Sequence, residues 1–215
     1  MDRFNEIVKI PVDNKLLEGE LVIPETANSI IIFCHGSGSS RFSPRNKTVA
    51  SKLREYNFGT LLFDLLTKEE EAADYYTRFN IQLLGNRLIS VTKWLENLPH
   101  AHHCQLGYFG ASTGAAAALT AASALPQIRA IVSRGGRPDL AANILSTITA
   151  PTLLIVGSLD HDVIAYNHFA YERLQGPKKL LIIEGAGHLF EEGNAMDKVA
   201  EDAAIWFNLY LQVHI

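Results

Sequence analysis

The chain is poor in the features that mark several large classes of protein. Two cysteines in 215 residues are too few for a disulfide framework. Cys34 closes one apolar run and Cys104 opens another, so the two fall at opposite ends of neighbouring strands and are expected to be free thiols. No apolar run approaches the roughly 18 residues needed to span a bilayer. Positive charge is in deficit: 19 Lys and Arg against 23 Asp and Glu leave a net charge of −4. That balance argues against nucleic acid as the main ligand, because phosphate binding needs a clustered excess of cations. The opening stretch "MDRFNEIVKIPVDNK" lacks the apolar core of a signal peptide, and the expectation is a cytoplasmic protein that does not engage a membrane. Internal repeats and low-complexity linkers are also missing, so residues 1–215 read as a single domain.

What the chain does have is a large apolar fraction, 47% against 20% charged residues, the profile of a globular protein with a substantial core. Residues 4–11 and 16–23 are short β-rich runs joined by "VDN", a hairpin signal. After them the pattern changes. "SIIIFCHG" (29–36), "GTLLFDLL" (59–66), "CQLGYFGA" (104–111), "IRAIVSRG" (128–135), "PTLLIVGS" (151–158) and "KKLLIIEG" (178–185) are near-continuous apolar runs. Strands buried on both faces of a parallel sheet have this composition. Helices are expected between them at about 44–57, 79–98, 113–125, 163–175 and 195–212. The second of these carries Ile81, Leu84, Leu88, Val91 and Leu95 at spacings of three and four, one apolar stripe. Strand alternating with helix predicts right-handed crossovers with helices on both faces. The 15 residues between 136 and 150 are the only room for a cap, too little for a separate lid.

In open α/β sheets, function gathers at the carboxyl ends of the strands. Four of the predicted strands are followed there by "HGSGSSR", "GASTG", "GSLDHDV" and "GAGHLF". The stretch Gly110-Ala111-Ser112-Thr113-Gly114 matches the G-x-S-x-G nucleophile elbow at a strand-to-helix junction. His188, after the last strand, is the candidate base. Asp160 is the candidate orienter of its imidazole, with Asp162 as rival; Val163 is expected to open the next helix and Asp162 to cap it. An oxyanion hole needs two N–H groups aimed at developing charge. Thr113 supplies one, and Ser37 is the first choice for the other, with Gly38 as alternative. His35 reads as ordering that loop.

The order Ser112, Asp160, His188 is that of the α/β-hydrolases. Over essentially its whole length the chain resembles an α/β-hydrolase-fold protein of the dienelactone hydrolase type. The stretches that carry the likeness are "HGSGSSRFSPRN", "FDLLTKEEE", "GYFGASTGAAAAL", "SRGGRPDL", "PTLLIVGSLDHDV" and "GAGHLFEE". Dienelactone hydrolases proper use a cysteine nucleophile, and this chain has Ser112 in its place. The resemblance implies a mostly parallel eight-stranded sheet with an N-terminal antiparallel hairpin, helices on both faces and no cap domain.

The expected chemistry is cleavage of a small carboxylic ester, lactone or thioester through an acyl-enzyme on Ser112, with no metal or organic cofactor. Acyl transfer or perhydrolysis on the same triad, or a catalytically silent ligand-binding protein, are the alternatives. Arg41, Arg45, Arg134 and Arg137 follow the third and sixth strands. Arg41 and Arg134 in particular are candidates to bind an anionic substrate group; the alternative is that the arginines tie down loops, with the acidic "KEEE" run as a candidate partner. Asp64 is expected to pair with a nearby arginine. The run "PHAHHC" (99–104) sits at the other end of the sheet from Ser112 and reads as a solvated loop. The oligomeric state is left open.

Overall fold

Asp13 and Asn14 take φ values of 50° and 59°, a left-handed conformation these short polar residues tolerate. They form the two-residue turn whose twist suits a β-hairpin, joining β1 (Asp2–Val12) to β2 (Lys15–Pro24). The structure, a computed structural model, describes residues 2–211. Six further strands follow: β3 (Ser29–Cys34), β4 (Gly59–Phe63), β5 (Gln105–Ala111), β6 (Ile128–Arg134), β7 (Thr152–Gly157) and β8 (Lys178–Ile183). They lie in the order β1-β2-β4-β3-β5-β6-β7-β8. β2 pairs antiparallel with β1 and β4, and every later pairing is parallel. Every residue of β3, β4 and β7 is buried, as their unbroken apolar runs require.

Alternation along these strands sends neighbouring side chains to opposite faces. Phe33, Phe109, Val132 and Ile155 meet α1 (Pro44–Glu55) and α6 (Ala195–Leu211). Ile32, Tyr108, Ile131 and Leu154 meet α3 (Ile81–Glu96) and α4 (Thr113–Ala124) on the other face, where Ala170 of α5 (His161–Arg173) also packs. The predicted stripe of α3 is the one buried, at Leu84, Leu88, Val91 and Leu95, each such burial contributing roughly 1.5–3 kcal/mol. In α4, seven consecutive residues, Thr113 to Leu119, are buried. Alanines there favour the helix and let its axis lie close on the sheet behind Ser112.

One expectation is corrected: α5 opens at His161, with Asp160 as its N-cap and Asp162 inside the first turn. The segment between β4 and α3, to which the sequence reading gave no element, contains α2 (Lys68–Ala73) and a 3₁₀ turn, Tyr75–Phe79. Thr67 and Glu70 form a reciprocal capping box on α2, the arrangement that satisfies two orphan backbone donors at once. No residue of either element is buried; the segment is pinned by Glu70, whose carboxylate pairs with Arg87 on α3, one bond measuring 2.7 Å. Residues 138–147 form a further insertion, a kinked 3₁₀ stretch.

Cys34, at the carboxyl end of β3, and Cys104, just before the amino end of β5, are both free; the parallel β3–β5 register, Ser29 against Gln105 and Cys34 against Gly110, keeps them apart. Among the described residues, no helix is long and apolar enough to cross a membrane, and no group of three or more His, Cys, Asp or Glu is placed to hold a metal ion.

Candidate active site

Ser112 sits between the last residue of β5 and the first of α4, at φ 51° and ψ −122°. A serine pays for that conformation with strain of order 1–3 kcal/mol, and it persists only where the surroundings over-determine it. Here they do. The Ser112 N–H donates to the Arg134 carbonyl (3.2 Å), and the Ser112 carbonyl accepts from the Arg137 and Ala115 amides, both at 3.1 Å. The flanking glycines are sterically required. A Cβ at Gly110 would lie 2.8 Å from the Ala115 nitrogen, and one at Gly114 would run into the Cys34 carbonyl. Although Ser112 is the N-cap of α4, its side chain makes no capping hydrogen bond. Its Oγ has no hydrogen-bond partner among the described residues.

His188 and Asp160 are brought together by the loops after β8 and β7. Leu159 donates its N–H to the Ala186 carbonyl (3.0 Å), Ser158 to that of Ile183 (3.0 Å), and Gly185 to Ser158 Oγ (2.8 Å). The Gly187 N–H is held by the Glu192 carboxylate at 3.1 Å, an interaction that lowers that carboxyl's pKa. Across this knit, His188 Nδ1 lies 2.6 Å from Asp160 Oδ2. With the Nδ1 proton given to the carboxylate, Nε2 is left as an acceptor for an incoming proton. Asp160, like Ser112, is an N-cap whose side chain does not cap its helix. Asp162 makes no such contact with His188. The His188 side chain is 40% exposed, so the pair opens to solvent rather than lying under a lid. Gly135, next to the carbonyl that holds Ser112, is close enough to the other loop that a Cβ there would lie 3.5 Å from His188 Nδ1. Ser112 and His188 therefore share one rim, with no direct hydrogen bond between them in this conformation.

The loop after β3 is ordered by His35. Its Nε2 accepts from the Leu65 N–H (3.1 Å), and its Nδ1 faces the Gly36 carbonyl (3.0 Å). Burial lowers its pKa, consistent with a neutral ring bridging two backbones. The Ser39 N–H closes a turn on the Gly36 carbonyl (3.1 Å), with Gly38 at φ 73° in the position of a type II turn that asks for glycine. Gly38 is thereby carried to an exposed tip. The expectation of a free Ser37 amide is corrected: its N–H donates to Thr113 Oγ1 at 2.8 Å.

The chain matches no family model. Its structure superposes on that of the dienelactone hydrolase of Anabaena variabilis with a TM-score of 0.94 and 52% sequence identity, covering 97% of this chain and 99% of that one. The chain belongs to the dienelactone hydrolase family. An esterase of Pyrococcus furiosus, at 18% identity and a TM-score of 0.79 over 97% of this chain and 94% of that one, shares the fold, which is that of the α/β-hydrolases. Two Mycobacterium tuberculosis proteins, provisionally named phosphoribosyl transferases, are 48% identical over 207 residues. The match takes in 96% of this chain but only 46% of theirs, so the chain spans about half the length of these curated relatives.

In this member of the dienelactone hydrolase family the rim arginines divide sharply. The Arg41 guanidinium pairs with Asp64, whose Oδ1 also accepts the Arg41 N–H (2.8 Å), and with Glu18 at 2.6 Å. That corrects the substrate role expected of Arg41. Arg137 forks onto Asp139 (2.9 and 2.7 Å) rather than onto the acidic run, and Arg45 reaches Glu191 at 2.7 Å. Arg134 differs from all of these. It is 6% exposed, and among the described residues no carboxylate pairs with it. The Phe190 ring lies 5.8 Å from it. Burial, with the nearby Arg45 charge as a lesser cause, lowers its pKa to about 10. One arginine had no signal in the sequence: Arg78, stacked on Tyr75 at 4.4 Å. It shares a cleft of about 470 Å³ with Gly38, Ser39, Ser40 and Arg45.

Proposed function

We propose that the chain is a serine hydrolase that cleaves a small carboxylic ester, lactone or thioester through an acyl-enzyme on Ser112. The observation that carries this reading is the His188–Asp160 pair at 2.6 Å, on the same rim as a serine held at a strained φ of 51° with its hydroxyl uncommitted. In the proposed cycle His188 Nε2 takes the Ser112 proton as Oγ attacks the carbonyl, and Asp160 stabilises the resulting imidazolium. His188 then protonates the leaving group and activates water to release the acid. The helix-initial Thr113 N–H, one of the donors that α4 cannot pair internally, holds the oxyanion.

The open rim suits compact substrates, and Arg134 favours those carrying an anionic group. A guanidinium buried without a partner costs several kcal/mol, and a carboxylate or phosphate on the substrate would offset that cost. The test is labelling with a fluorophosphonate probe, followed by a panel of p-nitrophenyl esters, simple lactones and acyl-thioesters with Ser112→Ala as control. The expected result is a label on Ser112 and turnover that the substitution removes. A folded wild type that takes no label and turns over no substrate in the panel overturns the reading.

A further inference from the structure

Thr113 is read from its neighbours as a backbone donor, yet its side chain holds an unusual position. The hydroxyl oxygen accepts the Ser37 N–H at 2.8 Å, joining the loop after β3 to the elbow. The residue is 4% exposed, and the hydroxyl's own proton has no acceptor among the described residues. Buried polar hydrogens are as a rule hydrogen-bonded. A buried O–H donor with no partner, on the residue that directly follows the candidate nucleophile, is therefore a preformed donor awaiting an acceptor.

We propose that the Thr113 hydroxyl is itself an oxyanion-hole donor, held in place by the Ser37 amide. This rests on the hydrolase reading above. When Ser112 Oγ bonds to the carbonyl carbon, its proton passes to His188 Nε2 and the carbonyl π pair moves onto oxygen. That oxygen accepts from the Thr113 N–H and the Thr113 Oγ1–H. On collapse the C=O bond re-forms, and the leaving group departs with the proton from His188. The Ser37 N–H never needs to leave Thr113. It fixes χ1 of a side chain already stiff from β-branching, and by donating to the hydroxyl oxygen it polarises the O–H toward the charge that forms. The second donor of the hole is thus a side chain oriented by a backbone amide, and both donors belong to one residue.

The test compares Thr113→Val, Thr113→Ala and Thr113→Ser in the full chain, with p-nitrophenyl acetate as substrate, a fluorophosphonate as probe and thermal melting as control. Loss of one hole donor lowers kcat by roughly 10²–10³-fold where measured. For Thr113→Val and Thr113→Ala we expect kcat to fall by about 10- to 100-fold, with KM within about threefold of wild type and slower labelling of Ser112. Thr113→Ser, which restores the hydroxyl, returns kcat to within about threefold of wild type. The alanine variant carries the same expectation should valine upset folding. The proposal is overturned if Thr113→Ala or Thr113→Val matches or exceeds wild-type kcat, since the hydroxyl would then merely block the Ser37 amide. It also fails if Thr113→Ser is as slow as Thr113→Ala. An active, labelled wild type with unaffected variants removes this proposal alone, whereas an inactive, unlabelled wild type removes the hydrolase reading with it.

Discussion

The two walls beside Ser112 are built on opposite principles. The wall formed by the ends of β6, β7 and β8 is packed from within. Phe190 is 1% exposed and Arg134 6%, and backbone hydrogen bonds lace the loops to the elbow and to one another. The wall formed by residues 64–80 contributes no buried residue from α2 or from its 3₁₀ turn. Charge and capping hold it: Thr67 with Glu70, and Glu70 with Arg87. A segment with few buried apolar contacts opens at low free-energy cost. The contrast assigns rigidity to the side that sets Asp160 and His188, and compliance to the side that faces the neighbouring clefts.

The sharpest way to break the comparison lies on the rigid wall. Asp160→Asn should lower kcat/KM by about 10⁴-fold, because the imidazole loses the partner that fixes its tautomer, while the melting temperature stays within a few degrees. An equal loss from a substitution on the compliant wall would erase the distinction. There, Arg87→Met removes the main partner of Glu70 and leaves Lys15, 3.5 Å away, as its remaining cation. It should destabilise segment 64–80 by about 1–3 kcal/mol, read as faster amide exchange in that segment ahead of the β-sheet. Arg134→Met should lower the ratio of kcat/KM for anionic over neutral esters by about 10- to 100-fold, the value of one charge-assisted hydrogen bond. Acid should weaken the compliant wall. The Arg87 guanidinium is the main cause that lowers the Glu70 pKa to about 2 from 4.5. Because the folded pKa is the lower one, its stabilisation is complete above about pH 4.5 and declines as pH falls toward 2. Limited proteolysis across that window should cut 64–80 first. The smallest effect on selectivity is expected at Arg41→Ala, which should leave the anionic-to-neutral ratio unchanged, since that side chain is already paired with Asp64 and Glu18.

The rigid wall was also the more legible one in the sequence. Continuous apolar runs located the six parallel strands to within two or three residues at their ends. The elbow, Asp160 and His188 followed from asking what stands at their carboxyl ends. Side chains whose partners lie elsewhere in the chain were harder to read. Arg87 falls three residues after Leu84 on the inward face of α3, yet a charged residue is ordinarily assigned outward; its partners, Glu70 17 residues earlier and the Leu65 carbonyl, explain it. The compliant wall lacks the apolar periodicity on which helix reading depends. Its one local signal was the capping box in "TKEE". The fork of Arg137 onto Asp139 was local and open to reading, whereas the isolation of Arg134 became visible only once the fold had buried it.

Ser112 and Asp160 both begin helices, both are residue types that cap well, and neither gives its side chain to the helix behind it. Each helix thereby forgoes roughly 1 kcal/mol of capping. In directed evolution, this makes the two positions a trap. A library sorted for heat resistance alone is drawn to variants in which α4 and α5 recover their caps, and those are the variants that misdirect the hydroxyl and the carboxylate. Thermal selection on this scaffold therefore needs an activity gate at residues 112 and 160, while the exposed faces of both helices are free to vary.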